Sequence, residues 1–241
     1  MNKLYKKNEL TFAILWIVLY VVLFSVAENV SGDLGIPKVI NVPLGLVMTA
    51  VLAGWTARSG LREKYGLVKP EAPDTANLFY LPLVVIATVN LWLGAQMKLS
   101  PLETALHIVS MLCVGFLEEM IFRGLLFKAI SKEHLTRGVI ISSVTFGIGH
   151  IVNLLNGADF VPTMLQICYA VALGYLFTMI FLKTGSLVPC IVTHGVINSL
   201  SAFAPERSNA QLGVISVILV AVALAYAWWI VRAHKVSEAQ A

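Results

Sequence analysis

At 241 residues the chain is long enough for one or two soluble domains, yet 58% of it is hydrophobic and only 12% is charged, where soluble domains carry about 25% charged residues. That composition excludes an ordinary soluble domain and points to a chain embedded in a bilayer. The formal net charge of +4 and the pI of ≈ 9.0 suit basic loops lying on anionic lipid and require no nucleic-acid partner.

The first predicted helix is Leu10–Ala27, preceded by Lys3, Lys6 and Lys7. Met1–Lys7 and the following apolar run imitate a secretory signal, with Ser25-Val26-Ala27 as a cleavage-like pattern. The run exceeds the usual core of about 7–15 residues, so a retained helix is expected. Seven further windows follow in order: Val39–Ala57, Leu78–Met97, Leu106–Phe127, Gly138–Leu155, Val161–Leu182, Ser186–Ala204 and Leu212–Val231. Each window holds about 18–22 residues, enough to cross a hydrocarbon core of about 30 Å. The fold class is therefore all-α: a polytopic membrane protein of about eight transmembrane helices, forming a single integral membrane domain over residues 1–241. Pro43, Pro82 and Pro189 lie near window ends or in first turns, where a missing N–H costs least, and are read as local kinks. No internal repeat is evident.

Charge placement tests the alternation of these helices. With the amino terminus inside, one side receives Lys3, Lys6, Lys7, Arg58, Arg62, Lys64, Lys69, Lys128, Lys132, Arg137, Lys183, Arg232 and Lys235, thirteen of the seventeen basic residues. The other side receives Lys38, Lys98 and Arg207, and Arg123 falls inside a helix. By the positive-inside rule the protein is expected in the cell membrane as a multi-pass chain with both termini cytoplasmic.

Most remaining polar or reactive residues have plain readings. Cys113, Cys168 and Cys190 are odd in number and form no CxxC pair, so they are expected to pack rather than to bridge or react. Trp16, Trp55, Trp92, Trp228 and Trp229 are expected as interfacial anchors or lipid-facing bulk. His107, His134 and His234 are expected in solvated or interfacial positions. Asn90, Asn153, Gln166 and Tyr169 sit at bilayer depth, where they join helices or line a cavity. Gly147, Gly149 and Gly174 are expected to allow close helix packing.

Five ionisable residues resist such readings. Glu118, Glu119 and Arg123 lie in the run Phe116-Leu117-Glu118-Glu119-Met120-Ile121-Phe122-Arg123, and His150 and His194 stand alone in apolar helices. A charge at bilayer depth costs roughly 2.5–3.5 kcal/mol on insertion scales, so such residues mark a site by default. At 1.5 Å per residue, Glu118 stands roughly 15 Å above Phe127, His150 roughly 18 Å above Gly138 and His194 roughly 12 Å above Ser186. Three helices thus bring polar groups to one level. Glu119 and Arg123 share a helix face, and Glu118 projects from a neighbouring one, so Arg123 is expected to neutralise Glu119 while Glu118 points into a hydrated cavity. His194 and Asn198, four apart, present a ring N–H and an amide N–H to one point, as an oxyanion hole requires. Phe146 and His150 repeat that spacing, with Phe146 walling or fixing the imidazole.

With these motifs the chain resembles the CPBP intramembrane proteases, the family of CAAX prenyl endopeptidases and bacteriocin-processing or self-immunity proteins. Its Glu-Glu-x-x-x-Arg pattern matches Glu118, Glu119 and Arg123; Phe-x-x-x-His matches Phe146 and His150; His-x-x-x-Asn matches His194 and Asn198. Thr184-Gly185-Ser186-Leu187-Val188-Pro189 is similar to the family's lead-in to the last motif. The resemblance covers about Met111 to Ser201, within a catalytic core of about 101–204.

The resemblance implies a glutamate-type endopeptidase. Glu118 would act as general base on water, His150 would help to hold that water, His194 and Asn198 would stabilise the oxyanion, and Glu119, Arg123 and Phe146 would support them. No cofactor is expected. A zinc mechanism is the nearest rival, with Glu118, His150 and His194 as ligands, but HExxH is absent and Asn198 is a poor zinc ligand. The alternatives are a non-proteolytic partner-binding or bacteriocin self-immunity protein on the same scaffold, and a transporter, which would more often show inverted repeats. The implied partners are a peptide or membrane-protein substrate and the lipid bilayer; no sequence feature selects a prenylated substrate or an oligomeric state. Because the basic loops and the counted depths refer to one side, the cavity is expected to open there, towards the cytoplasm.

Overall fold

The computed structural model describes residues 1–70 and 76–233, so His234 and Lys235 lie outside the described residues. Short helix α1 (Asn2–Lys7) leads into α2 (Glu9–Asp33), whose start is capped by the Asn8 side chain accepting from Thr11 N at 2.8 Å. Helix α3 (Asn41–Arg58) follows, then α4 (Ala76–Ala87) with a 3-10 turn at Val89–Leu91. A single 31-residue helical rod, Pro101–Ser131, comprises α5 (Pro101–Glu119), a π-helical stretch (Met120–Phe127) and α6 (Lys128–Ser131). Beyond it come α7 (Leu135–Gly149), α8 (Val152–Leu155), α9 (Phe160–Thr184), α10 (Val188–Leu200) with a 3-10 turn at Ser201–Phe203, and α11 (Asn209–Ala233).

Local chemistry explains the ends that matter for the site. Rod α5 starts at a capping box: Ser100 Oγ accepts from Glu103 N at 3.3 Å, Glu103 Oε2 accepts from Ser100 N at 2.8 Å, and Pro101 supplies a preset φ at the first helical position. Helix α9 stops at Gly185, whose φ of 64° suits glycine.

Every predicted window contains a helix, and the chain is a polytopic membrane protein. Five helices are long and apolar enough to cross a bilayer: Glu9–Asp33, Pro101–Ser131, Leu135–Leu155, Phe160–Thr184 and Asn209–Arg232. The windows at 78–97 and 186–204 contain shorter helices than expected, 12 and 13 residues: α4 runs through Pro82 but gives way after Ala87 to the 3-10 turn and Gly94 (φ 107°), and α10 ends at the turn after Leu200. The Gly138–Leu155 window breaks at His150, between α7 and α8.

Helix α5 packs on α3 and α10, α9 on α7 and α11, and α4 on α10 and α11; the π-helical stretch sits between α2 and α7 with all eight of its residues buried. One end of the bundle is tied by polar contacts among the basic segments. Trp55 Nε1 donates to Asn2 Oδ1 at 2.6 Å, Lys64 Nζ donates to Glu9 at 2.8 Å and to Tyr5 Oη at 2.6 Å, Lys132 reaches Glu9 at 2.8 Å, and Leu187 N donates to Gly66 O at 2.8 Å. Burial works against the Lys64 ammonium, but its bonds to Glu9 and Tyr5 outweigh that and hold its pKa above the ordinary lysine value. The opposite end is tied by Lys38 to Glu28 at 2.6 Å, by Asn41 to Glu28 at 3.0 Å and by Gln96 N to Phe203 O at 2.8 Å.

Two tryptophans depart from expectation. Trp16 and Trp55 are buried, because α1 folds back and brings Tyr5 within 5.1 Å of the Trp55 ring, and Phe12 packs against both indoles. Trp228 does face outward, with Arg232 4.5 Å above its ring. Cys113 and Cys190 are buried and Cys168 is exposed, all as free thiols.

Candidate active site

The site forms where α5 crosses α10, and the crossing is made by glycine on glycine. A Cβ on Gly115 would lie 2.6 Å from Gly195 N and 2.8 Å from Gly195 Cα, so α5 tolerates no side chain there, while a Cβ on Gly195 would press on Leu112 Cδ2 at 3.1 Å. The close approach puts Glu118 and Glu119, one turn further along α5, beside His194. Gly174 on α9 does the same for Arg123, since a Cβ there would meet Arg123 Nη2 at 3.0 Å and Ser143 Cα at 3.1 Å. Gly147 admits Val171 of α9, whereas Gly149 has open space around it.

Glu119 is fully buried and holds two partners on one oxygen. Arg123 Nη1 donates to Glu119 Oε1 at 3.1 Å, and His194 Nδ1 lies 2.8 Å from the same atom. The Arg123 guanidinium, also fully buried, stacks 3.9 Å above the Phe146 ring. A carboxylate facing both groups accepts, so His194 Nδ1 carries its proton and directs Nε2 outward. That nitrogen is 3.6 Å from Glu118 Oε2, an oxygen that takes no hydrogen bond. Glu118 is partly exposed and lines a cavity of about 550 Å³ together with His150, His194 and Asn198. The structure thus brings together Glu118, Glu119, Arg123, Phe146, His150, His194 and Asn198.

The imidazole of His150 is oriented by its own helix. Its Nδ1 lies 3.0 Å from Phe146 O, a carbonyl that can only accept, so Nδ1 carries the proton and Nε2 is left as an acceptor. The Phe146 ring stands edge-on to His150 at 5.3 Å and to His194 at 5.7 Å. One phenylalanine therefore walls two imidazoles and floors Arg123.

Two contributors escape a reading of sequence. Tyr20 of α2 is buried and donates its hydroxyl proton to Glu118 Oε1 at 2.6 Å. It sits 98 residues from Glu118, and no spacing rule links them. His107, expected to be solvated or interfacial, is partly buried, with Nε2 3.1 Å from Asn198 O and 2.9 Å from Ser201 Oγ, so it anchors the end of α10 that carries Asn198. Asn90, expected to join helices or line the cavity, does both: its Nδ2 donates to Ile197 O at 2.7 Å and braces the same turn. The other deep polar residues, Asn153, Gln166 and Tyr169, line the cavity, with Asn153 Nδ2 bonded to Gln166 Oε1 at 2.9 Å.

A family model described as Type II CAAX prenyl endopeptidase Rce1-like matches residues 100–200. The matched segment, less than half of the 241 residues, carries the likeness to the CPBP family. No curated protein and no solved structure matches the chain. The matched segment contains each motif residue of the site, whereas Tyr20 comes from outside it. Over this segment the chain is similar to the CAAX-type intramembrane proteases.

The cavity does not open where the charge pattern suggested. Its lining comes from 20–28 on α2, 194–201 on α10 and 212–219 on α11, the half of each of these helices remote from the basic end, and from 166–177 in the middle of α9. Towards the basic end it is closed by the π-helical stretch and the last turns of α9, where Leu125, Leu126, Phe127, Ile180 and Phe181 are buried. Depth counted from one boundary gives the level of a group, not the side from which it is reached.

Proposed function

We propose that the chain is an intramembrane endopeptidase in which Glu118 activates water to hydrolyse a peptide bond. The observation that carries the reading is the division of labour between adjacent carboxylates: Glu119 is committed to Arg123 and His194, while Glu118 reaches the cavity. Water held between Glu118 and the free Nε2 of His150 gives its proton to Glu118 as its oxygen attacks the substrate carbonyl. The proton on Glu118 then lies within a short step of His194 Nε2, which is 3.6 Å away. Protonated there, His194 is stabilised by the Glu119 carboxylate and donates, with the Asn198 amide, to the oxyanion. Collapse of the intermediate breaks the C–N bond, and the same proton passes to the leaving amine.

The reaction so written uses no metal. The partners in this reading are a peptide or membrane-protein substrate and the surrounding lipid, and the chain sits in the cell membrane with both termini in the cytoplasm.

The test is Glu118→Gln in purified, detergent-solubilised chain. It is expected to abolish cleavage of a dye-quenched casein probe while leaving insertion, yield and thermal unfolding unchanged, and titration with a chelator and then zinc is expected to leave native turnover as it was. Near-native turnover by Glu118→Gln removes Glu118 as the base. Loss of activity on chelation, restored by zinc, replaces the metal-free scheme.

A further inference from the structure

The side on which the cavity opens, set against the distribution of charge, says where the substrate comes from. At the basic end α2 and α7 are held apart and sealed by the π-helical stretch and α6, which pack against both. Towards the other end, among the described residues, no helix packs against both, and the cavity runs between them, lined by Phe24 and Ser25 of α2 and by Asn153 and Asn156 around α8. Its rim is polar: Glu28 paired with Lys38, Arg207 donating to Asn90 O, and Asn29 Nδ2 donating to Asn156 Oδ1 at 3.4 Å. Below that rim the flanking helices turn large apolar side chains outward, Val22 and Val26 on α2, Ile151 and Leu155 beside α8, with Leu155 83% exposed. A polar rim above apolar flanks is the pattern of an opening at the lipid–water boundary.

The end that carries this rim holds Lys38, Lys98 and Arg207, whereas the closed end holds the other loop lysines and arginines among the described residues. Lys and Arg are retained on the cytoplasmic side of short-looped membrane proteins. We propose that the cavity opens to the non-cytoplasmic face and that its substrate is an extended peptide segment presented from that face or from the outer leaflet, such as the translocated part of an exported or membrane-anchored chain. A lipid-modified carboxy-terminal tail in the cytosol would meet the closed, basic end. The class of substrate rests on the endopeptidase reading; the side of access does not.

Two arms separate these. In the first, full-length chain carrying Cys168→Ala, with the buried Cys113 and Cys190 kept, receives either Asn156→Cys at the rim or Glu63→Cys at the basic end. Each is exposed to a membrane-impermeant maleimide in intact cells and in everted vesicles. Asn156→Cys is expected to react in intact cells, and Glu63→Cys only in everted vesicles. Reaction of Asn156→Cys in everted vesicles alone, or of both positions from one side, overturns the proposal.

In the second arm, the dye-quenched casein probe is added to sealed right-side-out and everted vesicles and to the detergent-solubilised chain. Native chain is expected to cleave in detergent and in right-side-out vesicles, with loss of cleavage in everted ones, and Glu118→Gln to cleave in none. Cleavage confined to everted vesicles overturns the proposed substrate side. Absence of cleavage in detergent overturns the endopeptidase reading and the substrate class built on it, while the maleimide result still decides the side of access.

Discussion

Replacing Arg123 with methionine tests the electrostatic core of the site. Arg123 and Glu119 are both 0% exposed and 3.1 Å apart, and among the described residues Glu119 meets no other cation except a protonated His194. Arg123→Met keeps an apolar side chain over the Phe146 ring but strands a carboxylate in a medium that solvates it poorly. Breaking a buried pair on one side costs about 3–5 kcal/mol. For a chain of this size each kcal/mol moves Tm by about 2–4 °C, so a fall of roughly 6–20 °C is expected in thermal unfolding of the solubilised protein. The double variant Glu119→Gln/Arg123→Met removes both charges and keeps a side-chain oxygen that can accept from His194 Nδ1. Neutral pairs of similar volume are often as stable as the buried ion pair they replace, so the double variant is expected to recover most of the loss, with a coupling energy of at least about 2 kcal/mol. An Arg123→Met chain as stable as native, or a double variant no better than the single, refutes the assignment of this pair as the buried charge lock of the site.

Two further substitutions probe positioning. Tyr20→Phe removes one hydrogen bond to an ionised carboxylate, worth about 1.5–3 kcal/mol, and is expected to lower kcat by roughly tenfold or more with little change in KM and a near-native Tm; an unchanged kcat would mean that α2 does not orient Glu118. Gly115→Ala forces a methyl to within 2.6 Å of Gly195 N, so the α5–α10 crossing must widen; activity is expected to fall by about 100-fold, the scale of a 1 Å misplacement, whereas Gly54→Ala, with nothing within 4 Å of the added carbon, is expected to leave activity unchanged.

The sequence by itself determined the all-α membrane fold and the seven motif residues, because both depend on information local to a helix. Apolar length sets where helices lie, and the i, i+4 rule puts Glu119 with Arg123 and Phe146 with His150, pairs that the fold shows at 3.1 Å and, through the Phe146 carbonyl, 3.0 Å. Depth counting also placed Glu118, His150 and His194 at one level, since helical rise is nearly constant. Tertiary structure alone decided which side chains complete the site and from where it is reached. The Tyr20 bond to Glu118 and the His107 and Asn90 braces on α10 join segments 98, 91 and 107 residues apart, where no periodicity operates. His194 and Asn198 share a face as expected, but the ring hydrogen that spacing assigned to an oxyanion is held by Glu119, which only the α5–α10 crossing reveals. The direction of opening was misread for the same reason. Charge in loops reports the side of a boundary, whereas closure depends on how the buried Leu, Ile and Phe side chains of the π-helical stretch and of α9 fill the space between α2 and α7, and that is a property of packing between helices.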